Sequence, residues 1–159
     1  MLPHLDAAYN LARWLTRNEH DAEDVVQEAF MRAYKFFSDF YGTDGRTWLL
    51  TIVRNTCFTW LRKNRAGDPA TSFDEEIHSG ESAGENPEEM LFEKADRRHL
   101  QEAMEELPAE FREALVLREL EGMSYKEIAD VAGVPVGTVM SRLARGRDRL
   151  KESLSRRMK

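Results

Sequence analysis

The chain has 159 residues, of which 42% are hydrophobic and 33% charged, and its formal net charge is −6. That length and balance suit one ordinary folded domain or two small ones and exclude a disordered chain, and no apolar run approaches the ~18 residues needed to cross a bilayer. The single cysteine, Cys57, excludes an internal disulfide, and the scattered His4, His20, His78 and His99 offer no metal-ligand spacing, so neither a metal nor another cofactor is expected.

The charge is unevenly distributed. Residues 1–65 carry nine Lys and Arg against eight Asp and Glu, and residues 66–94 carry one against nine. Residues 95–130 carry five against ten, and residues 131–159 carry eight against two. Phosphate contacts act over about one Debye length, ~8–10 Å, so local sign governs nucleic-acid binding and the overall negative charge does not exclude it.

In chain order, Pro3 suits a first helical turn, and Leu5, Ala8, Leu11, Ala12 and Leu15 then recur at helical spacing. Asn18 is a helix N-cap, with Asp21, Glu23 and Asp24 at the positive dipole end of a second helix. Val26, Phe30, Ala33 and Phe37 mark the buried face of that helix. Gly42–Gly45 reads as a loop, and a third helix is predicted over residues 46–65. Its apolar and aromatic positions are Trp48, Leu49, Ile52, Val53, Thr56 and Trp60.

Residues 66–86 are mainly Gly, Ser, Glu, Asp, Ala and Pro and cannot bury enough surface to offset their ordering entropy, so they are expected to form a flexible acidic linker. A second domain then opens at Asn86-Pro87-Glu88-Glu89, an N-cap, an N1 proline and acidic first-turn residues, with its helix running to about Glu106. Pro108 begins a helix ending near Glu121-Gly122. Ser124-Tyr125-Lys126-Glu127 is a capping box for a short helix to Ala132, Gly133 a stop, and Pro135 the start of the last helix. The predicted fold class is all-α, with two small helical domains at residues 1–65 and 87–159, the second holding a helix-turn-helix.

On the last helix, Val136, Val139, Leu143, Leu150 and Leu154 are expected to pack on the preceding helices. Arg142, Arg145 and Arg149 fall at i, i+3 and i+7 on another side, with Thr138 and Ser141 near its N-terminal end. The first turns of such a helix face base edges in the major groove, where arginine pairs with guanine and hydroxyls anchor phosphates. A solvated basic face is the plain alternative. The capped preceding helix, the turn and the basic last segment together favour DNA binding.

Three motifs carry a family resemblance. Glu119–Ala129, followed by Val134–Leu143, resembles region 4 of bacterial sigma factors of the extracytoplasmic-function (ECF) group in the sigma-70 family. Asp21–Phe30 resembles region 2.2 of that family, and Thr47–Asn55 its regions 2.3–2.4. The resemblance implies that Asp24, Gln27, Glu28 and Met31 dock on core RNA polymerase. It implies that the −10 promoter element is recognised and opened by Phe40, Tyr41, Arg46, Arg54, Asn55, Arg62 and Lys63, capturing unpaired bases with stacking surfaces and backbone cations. Trp48 and Trp60 are assigned to packing. Thr138, Ser141, Arg142 and Arg145 would read the −35 element as duplex, with Lys126 and Arg147 or Arg149 on phosphates. Met140 and Ala144 depart from a common family pattern of an arginine and a larger side chain, so the base contacts at −35 stay open.

The lack of a membrane-length apolar run or a signal-peptide pattern points to a cytoplasmic protein, and the long tether without a heptad seam favours a monomer when free. The resemblance further implies a stress-response factor held by an anti-sigma factor, with additional residues before Leu2-Pro3-His4 and a linker that threads through the polymerase. Cys57 is expected to be a small core residue, and no Ser/His/Asp or Cys/His spacing or phosphate-binding glycine loop points to an enzyme. Two other readings remain: a free-standing helix-turn-helix regulator whose residues 1–65 sense or dimerise, and an interaction protein that sequesters a partner. A regulator would bind duplex DNA alone, and an interaction protein would tolerate alanine at Arg142 and Arg145.

Overall fold

The computed structural model describes residues 4–36, 44–64 and 97–157, and the regular structure among them is helical. The predicted linker, the start of the second domain at Asn86, and the predicted positions of Pro3 and Phe37 lie outside the described residues.

Helix α1 spans Leu5–Thr16 and buries Ala7, Ala8, Leu11, Ala12 and Leu15, while the predicted core position Leu5 stays partly exposed. Asn18 caps α2 (Glu19–Lys35) as expected: its side chain accepts the Asp21 N–H at 2.9 Å. The buried face of α2 is Ala22, Val25, Val26, Ala29 and Ala33, with Phe30 half-buried beside it. Helix α3 (Gly45–Asn64) begins at an Asp44 cap inside the stretch expected to be a loop. The Asp44 carboxylate accepts the Thr47 N–H at 3.1 Å and its hydroxyl at 2.6 Å, and these bonds hold the Asp44 carboxyl below its ordinary range. Leu49, Leu50, Val53, Thr56 and Cys57 are buried, and Trp48, Ile52 and Trp60 pack half-buried against the core.

The second group comprises α4 (Arg97–Glu105), α5 (Ala109–Leu115), α6 (Tyr125–Ala132) and α7 (Val136–Arg157). The helix after Pro108 does not run unchanged to Gly122. It widens into a π turn over Val116–Leu120, closed by Glu121 N–H to Val116 O at 3.1 Å. The Arg118 guanidinium stabilises the exit, donating to Met123 O at 2.9 Å and lying 4.6 Å over the Tyr125 ring. The capping box forms in full: Ser124 Oγ accepts the Glu127 N–H at 3.1 Å, and Glu127 Oε1 accepts the Ser124 N–H at 2.9 Å. Gly133 ends α6 at φ 73°, a left-handed conformation that glycine adopts without steric cost.

Helix α7 lies close against α5. A methyl group at Gly146 would come within 3.2 Å of Leu115 Cδ1, so the missing side chain sets that approach. Val139, Leu143, Leu150 and Leu154 are buried as expected, but Val136 is 39% exposed. It sits in the first turn of α7, ahead of the first buried residue Val139.

The two groups of helices pack on each other, α1 against α5 and the π turn, and α3 against α6. Their apolar side chains form one continuous core. At its centre the guanidinium of Arg112, 2% exposed, donates to Trp14 O at 2.7 Å, Leu15 O at 3.1 Å and Leu107 O at 2.5 Å. It thereby satisfies the last carbonyls of α1, which have no partner inside their own helix.

Candidate nucleic-acid interface

Helices α6 and α7 with the turn at Gly133–Pro135 make a helix-turn-helix. On it Lys126, Met140 and Arg149 are exposed, and Thr138, Ser141, Arg142, Arg145 and Arg147 are partly buried. Two of the predicted phosphate-binding arginines also have work inside the protein. Arg147 pairs with Glu119 of the π turn at 3.1 Å, and Arg149 lies 5.4 Å from the centre of the Phe111 ring. The side of α7 presented by its first turns is partly apolar, with Val136 and the 51% exposed Met140 one turn apart.

The residues predicted for −10 recognition are dispersed. Arg62 and Lys63 are exposed at the C-terminal end of α3, while Phe40 and Tyr41 lie outside the described residues. Arg46 turns to the second group, donating to Glu121 O at 3.2 Å with Glu127 at 3.8 Å. Arg54 does the same: its Nε donates to Glu113 Oε2 at 2.7 Å. Its guanidinium also donates to Asn55 Oδ1 at 3.3 Å and stacks 4.2 Å over Phe58, so Arg54 and the exposed Asn55 form one node.

Glu113 was not singled out in the sequence. Its side chain is 1% exposed, and Oε1 has no hydrogen-bond partner among the described residues. Burial pushes its carboxyl pKa up, against the lowering effects of Arg54 and Arg142, with Glu110 adding to the rise. The same burial raises the Cys57 thiol well above its ordinary range, as suits an inert core residue. No local signal marks Glu113, because its ion-pair partner lies 59 residues away in sequence.

The predicted docking residues are brought together. Asp24, Gln27, Glu28 and Met31 all lie exposed on α2, with Met31 71% exposed and Glu28 bonded to Arg32 at 2.8 Å. The surface continues into Tyr34, 84% exposed, and Phe36, neither of which was expected there, although Tyr34 follows Met31 at i+3. Among the described residues no group of His, Cys, Asp and Glu could hold a metal, and no helix is long and apolar enough to cross a membrane.

The family descriptions Sigma-70 region 2 and Sigma-70, region 4 match residues 2–67 and 97–150. Over 153 residues the chain is 36% identical to the ECF RNA polymerase sigma factor SigE of Mycolicibacterium smegmatis, covering 96% of this chain and 59% of that protein. It is 39% identical over 135 residues to the ECF RNA polymerase sigma-E factor of Escherichia coli K12, covering 80% of this chain and 71% of that one. Among solved structures, the sigma factor RpoE from Bartonella quintana, in complex with the anti-sigma factor NepR, superposes with a TM-score of 0.73 at 30% identity, over 97% of this chain and 93% of that one. CnrH, in complex with the cytosolic domain of CnrY, gives 0.67 at 25% identity, over 98% and 84%. The chain belongs to the ECF sigma factors of the sigma-70 family.

Proposed function

We propose that this chain binds core RNA polymerase, directs it to promoters and assists their melting, acting by binding free energy without catalysis of its own. The observation that carries the reading is the exposed face of Asp24, Gln27, Glu28 and Met31 on α2, in the same molecule as a helix-turn-helix. In this reading residues 1–65 bind the polymerase and the −10 element, residues 66–86 are an acidic tether, and residues 87–159 bind the −35 element. Arg46, Arg54, Asn55, Arg62 and Lys63, with Phe40 and Tyr41, would handle the −10 element. Thr138, Ser141, Arg142 and Arg145 would meet base edges, and Lys126, Arg147 and Arg149 phosphates. The factor would work in the cytoplasm in a stress response, held by an anti-sigma factor. The complex of the related RpoE with NepR supports that last element.

The test is a fluorescence-anisotropy titration of the labelled chain with core polymerase at physiological salt. Saturable binding is expected, weakened at least about tenfold by Asp24→Ala with Gln27→Ala, since each lost polar contact in a docking surface costs ~1 kcal/mol or more. Absence of binding by a folded chain, together with tight binding of duplex DNA by the chain alone, would favour the free-standing regulator instead.

A further inference from the structure

We propose that Met140, with Val136 one turn before it, is a thymine reader: the two apolar side chains pack on the 5-methyl groups of thymines in the −35 element, and this chain's choice of promoter depends on them. The inference rests on the sigma-factor reading for the identity of that element.

The two residues stand apart from the other apolar residues of α7. Val139, Leu143, Leu150 and Leu154 are buried, whereas Val136 and Met140 are 39% and 51% exposed. With the partly buried Ala144 they follow at i, i+4 and i+8, so they form one row along the helix. The neighbouring row holds Thr138, Ser141 and Arg145, the hydroxyls and cation predicted to meet the −35 element. Between the two rows Gly137 has no side chain, and a methyl group there would meet nothing within 4 Å. A duplex that receives the polar row therefore has the apolar row against it as well. Charge favours the same occupant, because residues 131–159 carry eight Lys and Arg against two Asp and Glu.

An apolar side chain in the major groove selects by gain and by loss. Thymine carries the one methyl group on an unmodified base edge there, among hydrogen-bond donors and acceptors. Methionine against the N4 amine of cytosine or the O6 of guanine would displace water and return no hydrogen bond, which is unfavourable. Against a methyl group it gains burial, and its three rotatable bonds and polarisable thioether let it fit an irregular surface. Val136 and Met140 lie ~6 Å apart along the helix axis, about two duplex steps of ~3.4 Å, so the pair spans neighbouring base pairs. Neither side chain is charged, so their share of the affinity should be insensitive to salt, unlike that of the arginines.

The test uses the chain bound to core polymerase. Preferred −35 elements are selected from a duplex library randomised at that element. Each thymine of the selected element is then replaced singly by deoxyuridine, which keeps the base pair and removes only the methyl group. Competition binding is measured for the parent chain and Met140→Ala at two salt concentrations. The substitution lies at an exposed helical position and leaves the core untouched. For the parent chain, replacement at one or two neighbouring thymines should weaken binding about fourfold per methyl group, equally at both salts. Met140→Ala should abolish the difference at one of these thymines, with Val136 still holding the other.

Equal binding of thymine and deoxyuridine at every position would overturn the proposal, as would a selected element without thymine, or a difference that vanishes at the higher salt. A difference that Met140→Ala leaves unchanged at every position would overturn it too. A Met140→Ala chain that binds polymerase more weakly but keeps its base preference would assign the exposed row to the polymerase instead. If the folded parent chain binds no polymerase, the sigma-factor reading fails. The library is then selected with the chain alone, and the same thymine and deoxyuridine comparison decides the methyl contact. A chain that selects no duplex in either form overturns both.

Discussion

Glu113 and Arg112 are adjacent in sequence and both buried, yet they stabilise the molecule in different ways. Arg112 gives its donors to main-chain carbonyls, whereas Glu113 has a cation at one oxygen and no hydrogen bond at the other among the described residues. Because burial raises the Glu113 carboxyl above its ordinary value of 4.5, the folded state holds that proton more tightly than the unfolded chain does. Its contribution to stability is therefore fully present below about pH 4.5 and is lost as pH rises through the folded value. The facing charges are Arg54 and Arg142, which oppose the rise, and Glu110, which adds to it. Urea titrations at pH 5 and pH 8 should show Glu113→Gln gaining on the parent chain as pH increases. A difference that shrinks over that interval would mean the ion pair outweighs the burial.

At the scale of helices, the segments were largely legible where local chemistry specifies them. Asn18, the Ser124–Glu127 box, Gly133 and the i, i+3, i+4 spacing of Leu11, Leu15, Leu143 and Leu150 all act within a few residues of themselves, and each stands where the sequence placed it. The recruitment of Asp44 as the cap of α3 was missed because aspartate in a glycine-flanked stretch reads equally as a turn. The π turn was missed because its exit depends on Arg118 meeting Tyr125 and Met123, contacts that periodicity does not report. On the candidate site the exposed face of α2 was legible from spacing alone, but the engagement of Arg46 by the Glu121 carbonyl and of Arg54 and Arg147 by carboxylates was not. Those partners lie 75, 59 and 28 residues away, and only packing brings them together. The capping box itself gives a simple prediction. Ser124→Ala should lower stability by ~1 kcal/mol, seen as a lower urea midpoint at unchanged slope, because one N–H at the start of α6 loses its acceptor.

At the scale of the whole molecule, the shared core predicts that the chain melts as one unit. Scanning calorimetry should show a single transition for the parent chain. Arg112→Ala removes the donors to Trp14 and Leu15 across the contact between the halves and to Leu107 within its own half, and should cost ~3 kcal/mol and split the transition in two. A single transition in that variant would show that the apolar contacts alone couple the halves.

The continuity of that core also governs how strongly anything can bind the open form. A partner that accepts only separated halves works against the equilibrium that holds them together. If ~1% of free molecules are open, its apparent affinity is weakened ~100-fold relative to its intrinsic one. A substitution away from every recognition surface, at the buried Arg112, would then tighten or loosen recruitment without touching a single contact made in the complex.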